Sequence, residues 1–471
     1  MVRRSSFTTT TLPITESLGP IIRVAPDLLH VDDPEFFREV HGPQGKFLKS
    51  EYFYGTVGAP NALLSIRDPH EHKIRRAIVN PLFSQKSVNA LASMVQDKLE
   101  QAIHLVRRHH LEGKPVDIQR LYRCISADII TTSMFGYSQD LIHFGDGTHP
   151  PLLTCLDGFL CHVHLMTHFP FLVNLAQKLP AIISKRILPG YVDFRKDCGH
   201  WIEKIMERRE KGRYTDDNDR TVMFDLLLES NNEKDFQRLS LEQLIDEALI
   251  FITAGTDTTA YALSCATFRI LHTPGVLVKL QEELGRVPLG KEERFEWKYV
   301  QNLPYMTAVV KETLRISTPA IGPLPRVVPP DGARIQGNLI PGGTIILSTL
   351  ITIHEDPHLF ASPQRFLPER WLGDKGMELE RWFVPFSKGS RQCVGKKYVH
   401  SKTNHNNARP TDVSCVFISL AYMELYLTLA NFFGRFEMEL FETDEKSMEW
   451  LDHGAALNAS SVKVRAKPLV V

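Results

Sequence analysis

The sequence lacks the features that mark several large classes of protein. Its seven cysteines include no Cys-x-x-Cys pair, which argues against a disulfide framework and a structural zinc site and favours a reducing compartment. Lysine plus arginine and aspartate plus glutamate number 55 each, so no net charge indicates a nucleic-acid partner. The first twenty residues hold no long apolar run, and therefore neither a signal-peptide core nor a spanning helix. We expect the chain as given to be soluble or peripherally bound to a membrane.

A dinucleotide-binding fingerprint is also missing. The nearest approach to Gly-x-Gly-x-x-Gly, at Gly145-Asp146-Gly147, lacks the third glycine. We therefore expect no flavin or nicotinamide domain within the chain. Any electrons that its chemistry requires must come from a separate protein.

Helical periodicity dominates what is present. Ser240 and Gln243 form a capping box, and the helix that follows continues to about His272, a length of about 45 Å. This segment is apolar on nearly all sides, which is typical of a buried helix at the centre of one large core.

Strand signals are few. They comprise residues 344–348, after a Pro-Gly-Gly turn, and residues 20–31 near the start. The charged segment from Arg208 to Ser240 is predicted to be a connection on the surface. The expected fold is mainly α with a small β-rich part.

One short segment carries a motif around a cysteine, Phe386-x-x-Gly389-x-Arg391-x-Cys393-x-Gly395. Five fixed positions in ten arise by chance about once in ten million starting positions at ordinary residue usage. The glycines allow close backbone approach, so that N–H groups can point at the sulfur, and Arg391 can pair with an anion. An inert buried thiol is the usual interpretation of a lone cysteine, but it leaves the other four positions unexplained.

This motif resembles the haem-binding loop of the cytochrome P450 superfamily, in which the cysteine is the axial thiolate ligand of haem iron. Two further motifs, Glu312-x-x-Arg315 and the FLPERW segment containing Arg370, stand at the spacing of that family. The resemblance implies that Glu312, Arg315 and Arg370 form a buried triad that supports the loop of Cys393. A buried arginine needs such partners, so we interpret the three residues as structural.

The middle of the long helix reads Ala254-Gly255-Thr256-Asp257-Thr258-Thr259. Gly255 costs about 1 kcal/mol there relative to alanine, and the Thr258 hydroxyl can bond the carbonyl of Ala254. A tolerated local kink would explain both features. The resemblance implies instead an oxygen-binding groove, in which Thr258 and Asp257 are catalytic, organise water and deliver protons.

Basic residues lie on a second predicted helix, which begins after the Asp68-Pro69 capping signal. His72 and Arg76 share a face of this helix, which by itself indicates a solvated basic surface. The resemblance implies that they bind the haem propionates, whereas Arg75 stays at the surface and offers a reductase a docking face with Lys73 and Lys388. The implied cofactor-binding residues are His72, Arg76, Arg326, Phe386, Arg391, Cys393 and Gly395, with Cys393 as the metal ligand.

The resemblance implies a cytochrome P450 fold with haem b between the long helix and the cysteine loop. It also implies a monooxygenase that activates O2 with NADPH electrons from a separate cytochrome P450 reductase and hydroxylates or epoxidises a lipophilic substrate. Phe251, Ala254 and residues 320–324 would wall the substrate pocket. The wording of the motifs most resembles filamentous-fungal enzymes of secondary metabolism, the group that includes trichodiene oxygenase, so terpenoids are among the implied substrates.

The chain departs from this family at its start. The resemblance begins near residue 19, and residues 1–18 do not share it. Fungal relatives usually carry an N-terminal anchor that holds them on the cytosolic face of the endoplasmic reticulum membrane, and we expect such an anchor to be missing here. A single haem domain would then occupy residues 19–471.

A second departure follows the cysteine. Residues 396–417 separate Gly395 from ISLAYMELY, which in the family would continue directly as a buried helix. This insertion of 22 residues has a loop-like composition. We interpret it as a retained intron or a faulty exon boundary, the other reading being a genuine lineage-specific loop. We expect it to separate the loop from the helix and so to weaken haem binding.

Three alternative functions stay open at this point. One is a haem-thiolate isomerase or peroxygenase, against which the Asp257-Thr258 pair argues. Another is a haem-binding sensor without turnover, which NADPH consumption with a reductase would exclude. The last is a non-functional product of a faulty gene model, which the haem content of the expressed protein would reveal.

Overall fold

The computed structural model describes residues 19–43, 46–144, 148–216, 220–229, 238–400, 415–418 and 420–469. The α-helices in these ranges are α1 (Pro34–His41), α2 (Glu51–Tyr54), α3 (Pro69–Val79), α4 (Gln85–Leu111), α5 (Ile118–Phe135), α6 (Pro151–Cys161), α7 (Val163–His168), α8 (Phe171–Lys178), α9 (Ala181–Ile187), α10 (Tyr191–Glu210), α11 (Met223–Leu228), α12 (Leu241–His272), α13 (Val276–Leu284), α14 (Trp297–Val300), α15 (Pro304–Ser317), α16 (Leu350–His354), α17 (Gly373–Leu379) and α18 (Leu420–Phe433). The strands are β1 (Ile21–Ala25), β2 (Leu28–Val31), β3 (Leu48–Lys49), β4 (Val116–Asp117), β5 (Arg326–Val327), β6 (Ala333–Ile335), β7 (Asn338–Ile340), β8 (Ile345–Leu347), β9 (Lys397–His400), β10 (Cys415–Ile418), β11 (Phe436–Leu440), β12 (Trp450–Asp452), β13 (Ala456–Asn458) and β14 (Lys463–Pro468).

The predicted long helix is α12, and its start and end are confirmed. Ser240 and Gln243 form the capping box, and the helix continues without interruption for 32 residues to His272. It packs along α5, where a Cβ added to Gly255 would lie 2.7 Å from Cγ1 of Ile130. Gly255 is therefore explained by the close approach of two helices, and no kink is needed to account for it.

The β structure is small and divided among separate sheets. The largest has the order β1-β2-β8-β5-β3, in which β2 and β8 are parallel and the other neighbours are antiparallel. Both predicted strand regions lie in this sheet, residues 20–31 as the β1-β2 hairpin and residues 344–348 as β8. The mainly α fold with a small β-rich part is confirmed.

One prediction about the surface is wrong. The segment from Arg208 to Ser240 contains α11, whose Met223, Phe224 and Leu227 are buried against the rest of the core. This helix packs against α3 and α5 because its run of apolar side chains gains more from burial than from exposure to water. The predicted N-terminal boundary, residues 1–18, lies outside the described residues.

Candidate active site

The cysteine motif forms a closed loop. The backbone N–H of Cys393 donates to the carbonyl of Phe386 at 3.0 Å. Gly389 lies between them with φ +72°, and a Cβ there would collide with the backbone carbonyl oxygen of His41. The motif glycine at position 389 is thus required by backbone conformation and by the close approach of a neighbouring segment.

The thiol of Cys393 has backbone donors and a cation beside it. Its side chain keeps exposed surface at the loop, but the protein packed around it excludes much of the water, and this desolvation raises the pKa of the thiol above its ordinary value. The N–H groups of Gly395 and Lys396 and the guanidinium of Arg76 act in the opposite direction and favour the thiolate. Arg76 also donates to the carbonyls of Gln392 at 2.5 Å and Cys393 at 3.4 Å, so α3 is tied directly to the loop.

The four predicted propionate-binding residues come together next to this loop. Burial first, and then the charges of neighbours that include Arg391 and Arg76, lower the pKa of His72 to about 3, so its imidazole is neutral near pH 7. Arg391 donates to the carbonyls of Ile66 and Arg67 at 2.7 and 2.8 Å. Arg326 donates to the hydroxyl of Tyr54 at 2.9 Å.

Lys49 is a further member of this cluster, and the sequence did not indicate it. Its side chain is buried, and its Nζ donates to the carbonyl of Leu64 at 2.5 Å and lies 4.6 Å from the centre of the Tyr54 ring. Burial and then the charges of Arg326, Arg391 and Arg76 hold its pKa well below the ordinary value. The register of β3 and β5 places Lys49 directly opposite Arg326. Two like charges placed opposite each other are unfavourable. The pairing of Lys49 with Arg326 is therefore the feature that indicates a functional role for this lysine.

The cationic cluster, defined as Lys49, Arg76, Arg326 and Arg391 together with the neutral His72 among them, fits the acidic side of haem. Among the described residues none of its members forms an ion pair with a carboxylate, and Asp68 acts on Arg391 only from beyond ion-pair distance, so the positive charge of the cluster is compensated only in part. Two propionate groups would supply that compensation, and the neighbouring cysteine loop presents a sulfur with thiolate-favouring donors. The donor set therefore matches haem on both its iron and its carboxylates.

The position of Arg75 was predicted wrongly. It is 4% exposed, and its Nη1 donates to Oε1 of Glu247 on α12 at 2.9 Å. Glu247 gives Arg75 a buried counter-charge, which stabilises the charged side chain in the protein interior. Glu247 also accepts a hydrogen bond from the N–H of Leu63. Arg75 therefore links α3 to the long helix and does not belong to a docking surface. Lys73 is exposed, as that prediction requires.

Ala254 lies on the side of α12 that faces α3, which is the side that carries Glu247, the partner of Arg75. Ala254 and Thr258 follow Glu247 by seven and eleven residues, which puts all three on one side of α12. Ala254 is exposed in the middle of a helix that is otherwise largely buried, so open space lies over it. The Thr258 hydroxyl donates to the carbonyl of Ala254 at 2.6 Å, and this predicted hydrogen bond is confirmed.

Asp257 faces away from that side and into the protein. Its Oδ1 accepts from Nε of Arg123 at 2.7 Å, and Arg123 also donates to Asp157 at 2.6 Å. Burial raises the pKa of Asp257 above its ordinary range, and the guanidinium of Arg123 opposes that rise. Arg123 was not predicted, because nothing in its local sequence shows that a carboxylate 134 residues away is its partner.

The predicted triad is present, with Glu312 and Arg315 completely buried and the side chain of Arg370 8% exposed. Arg315 donates to Glu312 at 2.8 and 3.0 Å, and Arg370 donates to the same carboxylate at 3.0 Å. The indole of Trp371 and the N–H of Leu367 add hydrogen bonds at 2.9 and 3.0 Å. The carboxylate thus fixes the segment that leads into the cysteine loop.

Replacing Glu312 with glutamine should destabilise the protein by about 3 to 5 kcal/mol, because two buried guanidinium groups would lose their counter-charge. Urea unfolding measures this free energy. Glu369→Gln is the matched control, since Glu369 pairs with Lys279 at the surface and its loss should cost less than about 1 kcal/mol. Equal losses in the two variants would contradict a special role for the buried carboxylate.

The ends of the predicted insertion meet. Strands β9 and β10 pair antiparallel, with Lys397 opposite Ile418 and His400 opposite Cys415. Residues 401–414, the centre of the insertion, lie outside the described residues. The chain therefore leaves the cysteine loop and returns to a neighbouring point before α18 begins at Leu420.

The site combines cations that suit haem propionates, a cysteine loop and a central helix that carries a threonine. This combination is typical of haem-thiolate enzymes. Residues 16–398 match the family described as Cytochrome P450, and the chain belongs to that family. It is 36% identical over 455 residues to cytochrome P450 monooxygenase BOT1 of Botryotinia fuckeliana, which covers 96% of this chain and 84% of that protein. It is 37% identical over 452 residues to cytochrome P450 monooxygenase phqM of Penicillium fellutanum, covering 95% and 80%. For cytochrome P450 monooxygenase aneF of Aspergillus aculeatus the identity is 35% over 448 residues, covering 95% and 86%.

The family match and these sequence similarities identify the chain as a cytochrome P450 monooxygenase. The relatives are fungal, as the motifs had indicated. The family match ends at residue 398, near the start of the predicted insertion. Within the described ranges, no helix has both the length and the apolar character needed to span a bilayer.

Proposed function

We propose that the protein uses haem b and NADPH electrons from a separate cytochrome P450 reductase to hydroxylate or epoxidise a lipophilic secondary metabolite, terpenoids included. The observation that carries the proposal is the cationic cluster, which forms no ion pair with a carboxylate among the described residues and lies beside the loop of Cys393. Cys393 would ligate the iron, and the cluster would bind the propionates. Phe386 and Gly395 flank the sulfur in the same loop, with Cys393 hydrogen-bonded to Phe386.

Haem with a thiolate ligand supplies the reductive activation of O2 when it is bound. The chain's own residues then control protons and access. Thr258 holds its hydroxyl on the open side of α12, where it can orient water, and Asp257 lies one residue before it with a carboxylate whose proton affinity burial has raised. This pair favours oxygen chemistry over a haem-thiolate isomerase or peroxygenase, which needs no such proton supply.

The apolar character of the neighbouring residues supports a lipophilic substrate. Phe251 is buried one turn before the exposed Ala254, and Ala320 and Leu324 are half-buried in the segment after α15. That segment approaches the β12-β13 hairpin, because the N–H of Ala456 donates to the carbonyl of Pro319 at 2.9 Å. Pocket walls of this kind select for size and apolarity more than for specific polar groups.

We also propose that the enzyme works on the cytosolic face of the endoplasmic reticulum, where its fungal relatives would meet a membrane-bound reductase. The proposal follows the family resemblance. Fractionation of the native host's membranes, with an antibody against this chain, tests it. Recovery of the protein in a different compartment would overturn the assignment.

The proposed function is tested by expressing the chain with a purified NADPH–cytochrome P450 reductase. Haem content, the spectrum of the reduced carbon monoxide complex and reductase-dependent NADPH oxidation are the three measurements. All three should be positive for a monooxygenase. Haem without NADPH oxidation would favour a sensor, and the absence of haem would favour a non-functional product of a faulty gene model.

Replacing Thr258 with alanine should leave haem binding intact and divert most of the NADPH consumed to hydrogen peroxide. The reason is the loss of the hydroxyl that orients water on the open side of α12, and coupled turnover should fall by about 100-fold or more. Thr253→Ala is the matched control, because Thr253 makes the same hydrogen bond to the carbonyl four residues earlier, at 2.7 Å. An unchanged ratio of peroxide to NADPH in Thr258→Ala would remove Thr258 from proton delivery.

A further inference from the structure

Helix α7 is a short segment with a backbone break on each side. His162 ends α6 and precedes α7 with φ −104° and ψ 0°. At the other end, Phe169 leaves the helical region with φ −128° and ψ 64°. Met166 on α7 is buried, whereas His164 and His168 are exposed. The position of this six-residue helix therefore depends on the contacts of its side chains.

The two exposed histidines of α7 contact different neighbours. Nε2 of His164 lies 2.9 Å from the backbone carbonyl oxygen of Asp452, at the end of β12, and 3.4 Å from Oδ1 of the same residue. Nδ1 of His168 lies 3.1 Å from the hydroxyl of Tyr52 on α2. α7 therefore spans the distance between the β12-β13 hairpin and α2, with one histidine contact at each.

The turn of this hairpin adjoins a proposed wall of the pocket. A Cβ added to Gly322, in the segment 320–324, would lie 3.5 Å from the carbonyl oxygen of Gly454 in the turn. A Cβ added to Gly454 would lie 3.4 Å from Cγ1 of Val163, the first residue of α7. The turn is thus packed between α7 and the wall. A displacement of α7 from the hairpin would open a path beside the proposed pocket.

We propose that His164 and Asp452 form a protonation-controlled latch, which holds α7 against the β12-β13 turn and limits the entry of large apolar substrates. The inference rests on the proposed function, which supplies the pocket. Protonated His164 pairs with the carboxylate of Asp452, whereas the neutral imidazole retains only the hydrogen bond to the carbonyl. The N–H of Gly454 donates to Oδ1 of Asp452 at 2.9 Å and so fixes the carboxylate at the latch.

The direction in which pH acts on the latch follows from the two pKa shifts. The hydrogen bond to the carboxylate of Asp452 raises the pKa of His164 above its ordinary value of 6.5, although burial opposes the rise. Burial alone would raise the pKa of Asp452, but the contacts with His164 and Gly454 outweigh burial and lower it. The attraction is therefore complete below about pH 6.5 and is lost as the pH rises through the raised pKa of His164.

Other titratable groups lie around the latch. His453 follows Asp452 in the turn, and burial and then the charge of His164 lower its pKa, so it stays neutral near pH 7. Asp157 of α6 acts on His453 in the opposite direction. At the other end of α7, burial raises the pKa of Tyr52, so its hydroxyl stays protonated. Among the described residues, Asp452 is the charged group that acts on His164.

Two variants separate the charge of the latch from its hydrogen bond. Asp452→Asn keeps an oxygen for the N–H of Gly454 and removes the negative charge. His164→Gln keeps a donor for the carbonyl of Asp452 and removes the titrating group. His272→Gln is the matched control, since Nε2 of His272 lies 3.5 Å from Oε1 of Glu445 and its side chain is 47% exposed, compared with 49% for His164.

The experiment uses the full-length, haem-bound protein in the reduced state at about pH 6 and about pH 8.5. Flash photolysis gives the association rates of two neutral ligands of haem iron: cyclohexyl isocyanide, which is large and apolar, and carbon monoxide, which is small. Mass spectrometry follows the amide hydrogen exchange of residues 163–168 and 450–458, with each variant compared with the wild type at equal pH. The exchange measurement requires neither haem nor turnover.

In the wild type, the isocyanide should bind about 2- to 5-fold faster at the higher pH, as the loss of a partly exposed ion pair predicts. In Asp452→Asn and His164→Gln its two rates should be equal. Exchange in α7 should be faster in these variants than in the wild type at the lower pH only. His272→Gln should behave as the wild type does, and carbon monoxide should bind at the same rate at both pH values.

An isocyanide rate that does not change with pH in the wild type would overturn the proposal. So would a pH dependence that persists in Asp452→Asn or His164→Gln, or one that is lost in His272→Gln. An equal effect of pH on carbon monoxide would place the change in the haem site and not in the latch. If the wild type binds no haem, the proposed function fails, and the exchange of α7 still decides whether His164 and Asp452 hold this helix.

Discussion

Replacing Cys393 with serine should abolish the red-shifted Soret band of the reduced carbon monoxide complex. The band depends on a thiolate ligand, and a serine oxygen in the same loop does not donate electron density to the iron in that way. Burial raises the pKa of the Cys393 thiol, and two backbone N–H groups and the guanidinium of Arg76 oppose that rise, so donors that favour a charged sulfur are in place beside the position that iron would take. We expect a complete loss of the band and of reductase-dependent product formation.

The measurement is a carbon monoxide difference spectrum at equal protein concentration. Cys161→Ser is the control, since Cys161 is an exposed free cysteine on α6 and its replacement should leave the spectrum as it is. Haem content is determined in parallel, so that loss of the cofactor is distinguished from a change of ligand. A normal band in Cys393→Ser would show that another residue ligates the iron.

Deleting residues 396–417 should increase the haem bound per chain towards one. The thiolate loop and the first turn of α18 would then be directly connected, so that the N–H groups and positive end of the helix are placed by the loop. An insertion costs little in loop-closure entropy, so the harm should fall on the geometry of the site and not on folding as a whole. The carbon monoxide spectrum should increase in proportion.

The structure makes this deletion practicable. Lys397 and Ile418 are paired across β9 and β10, and paired residues lie about 5 Å apart, so Gly395 can be joined to Ile418 over a short distance. A control variant keeps both strands and replaces residues 401–414 with an Asn-Gly turn, which shortens the segment without reconnecting loop and helix. Equal haem contents in the deletion variant and the unaltered chain would show that the hairpin is a tolerated loop. A second comparison, with an N-terminal anchor region added to both forms, tests the other predicted departure.

Local partners explain which contacts could be predicted from the sequence. Glu312 and Arg315 are three residues apart on one helix face, and Ala254 and Thr258 are four apart, so helix geometry alone brings each pair together. The capping box of α12 is local for the same reason. These features were confirmed because their geometry depends on the turn of a single helix.

Distant partners explain what was missed. Arg75 pairs with a carboxylate 172 residues away, and a lone arginine on a predicted helix looks the same whether that partner exists or not. The place of Lys49 in the cationic cluster is evident only from the tertiary structure, in which the pairing of β3 with β5 puts it opposite Arg326. α11 was taken as surface because its six apolar and acidic residues are flanked by charged segments, whereas the tertiary structure offers it a place beside α3.

The concentrated positive charge of the cationic cluster affects how long the protein survives in the cell. A dianionic cofactor that binds the folded chain and not the unfolded one shifts the folding equilibrium by mass action. Chains made faster than haem becomes available keep the like charges of Arg76, Arg326 and Arg391 close together without a dianionic partner and spend more time unfolded, where proteases degrade them. The amount of enzyme that accumulates is thereby set by the supply of haem as well as by the rate of synthesis.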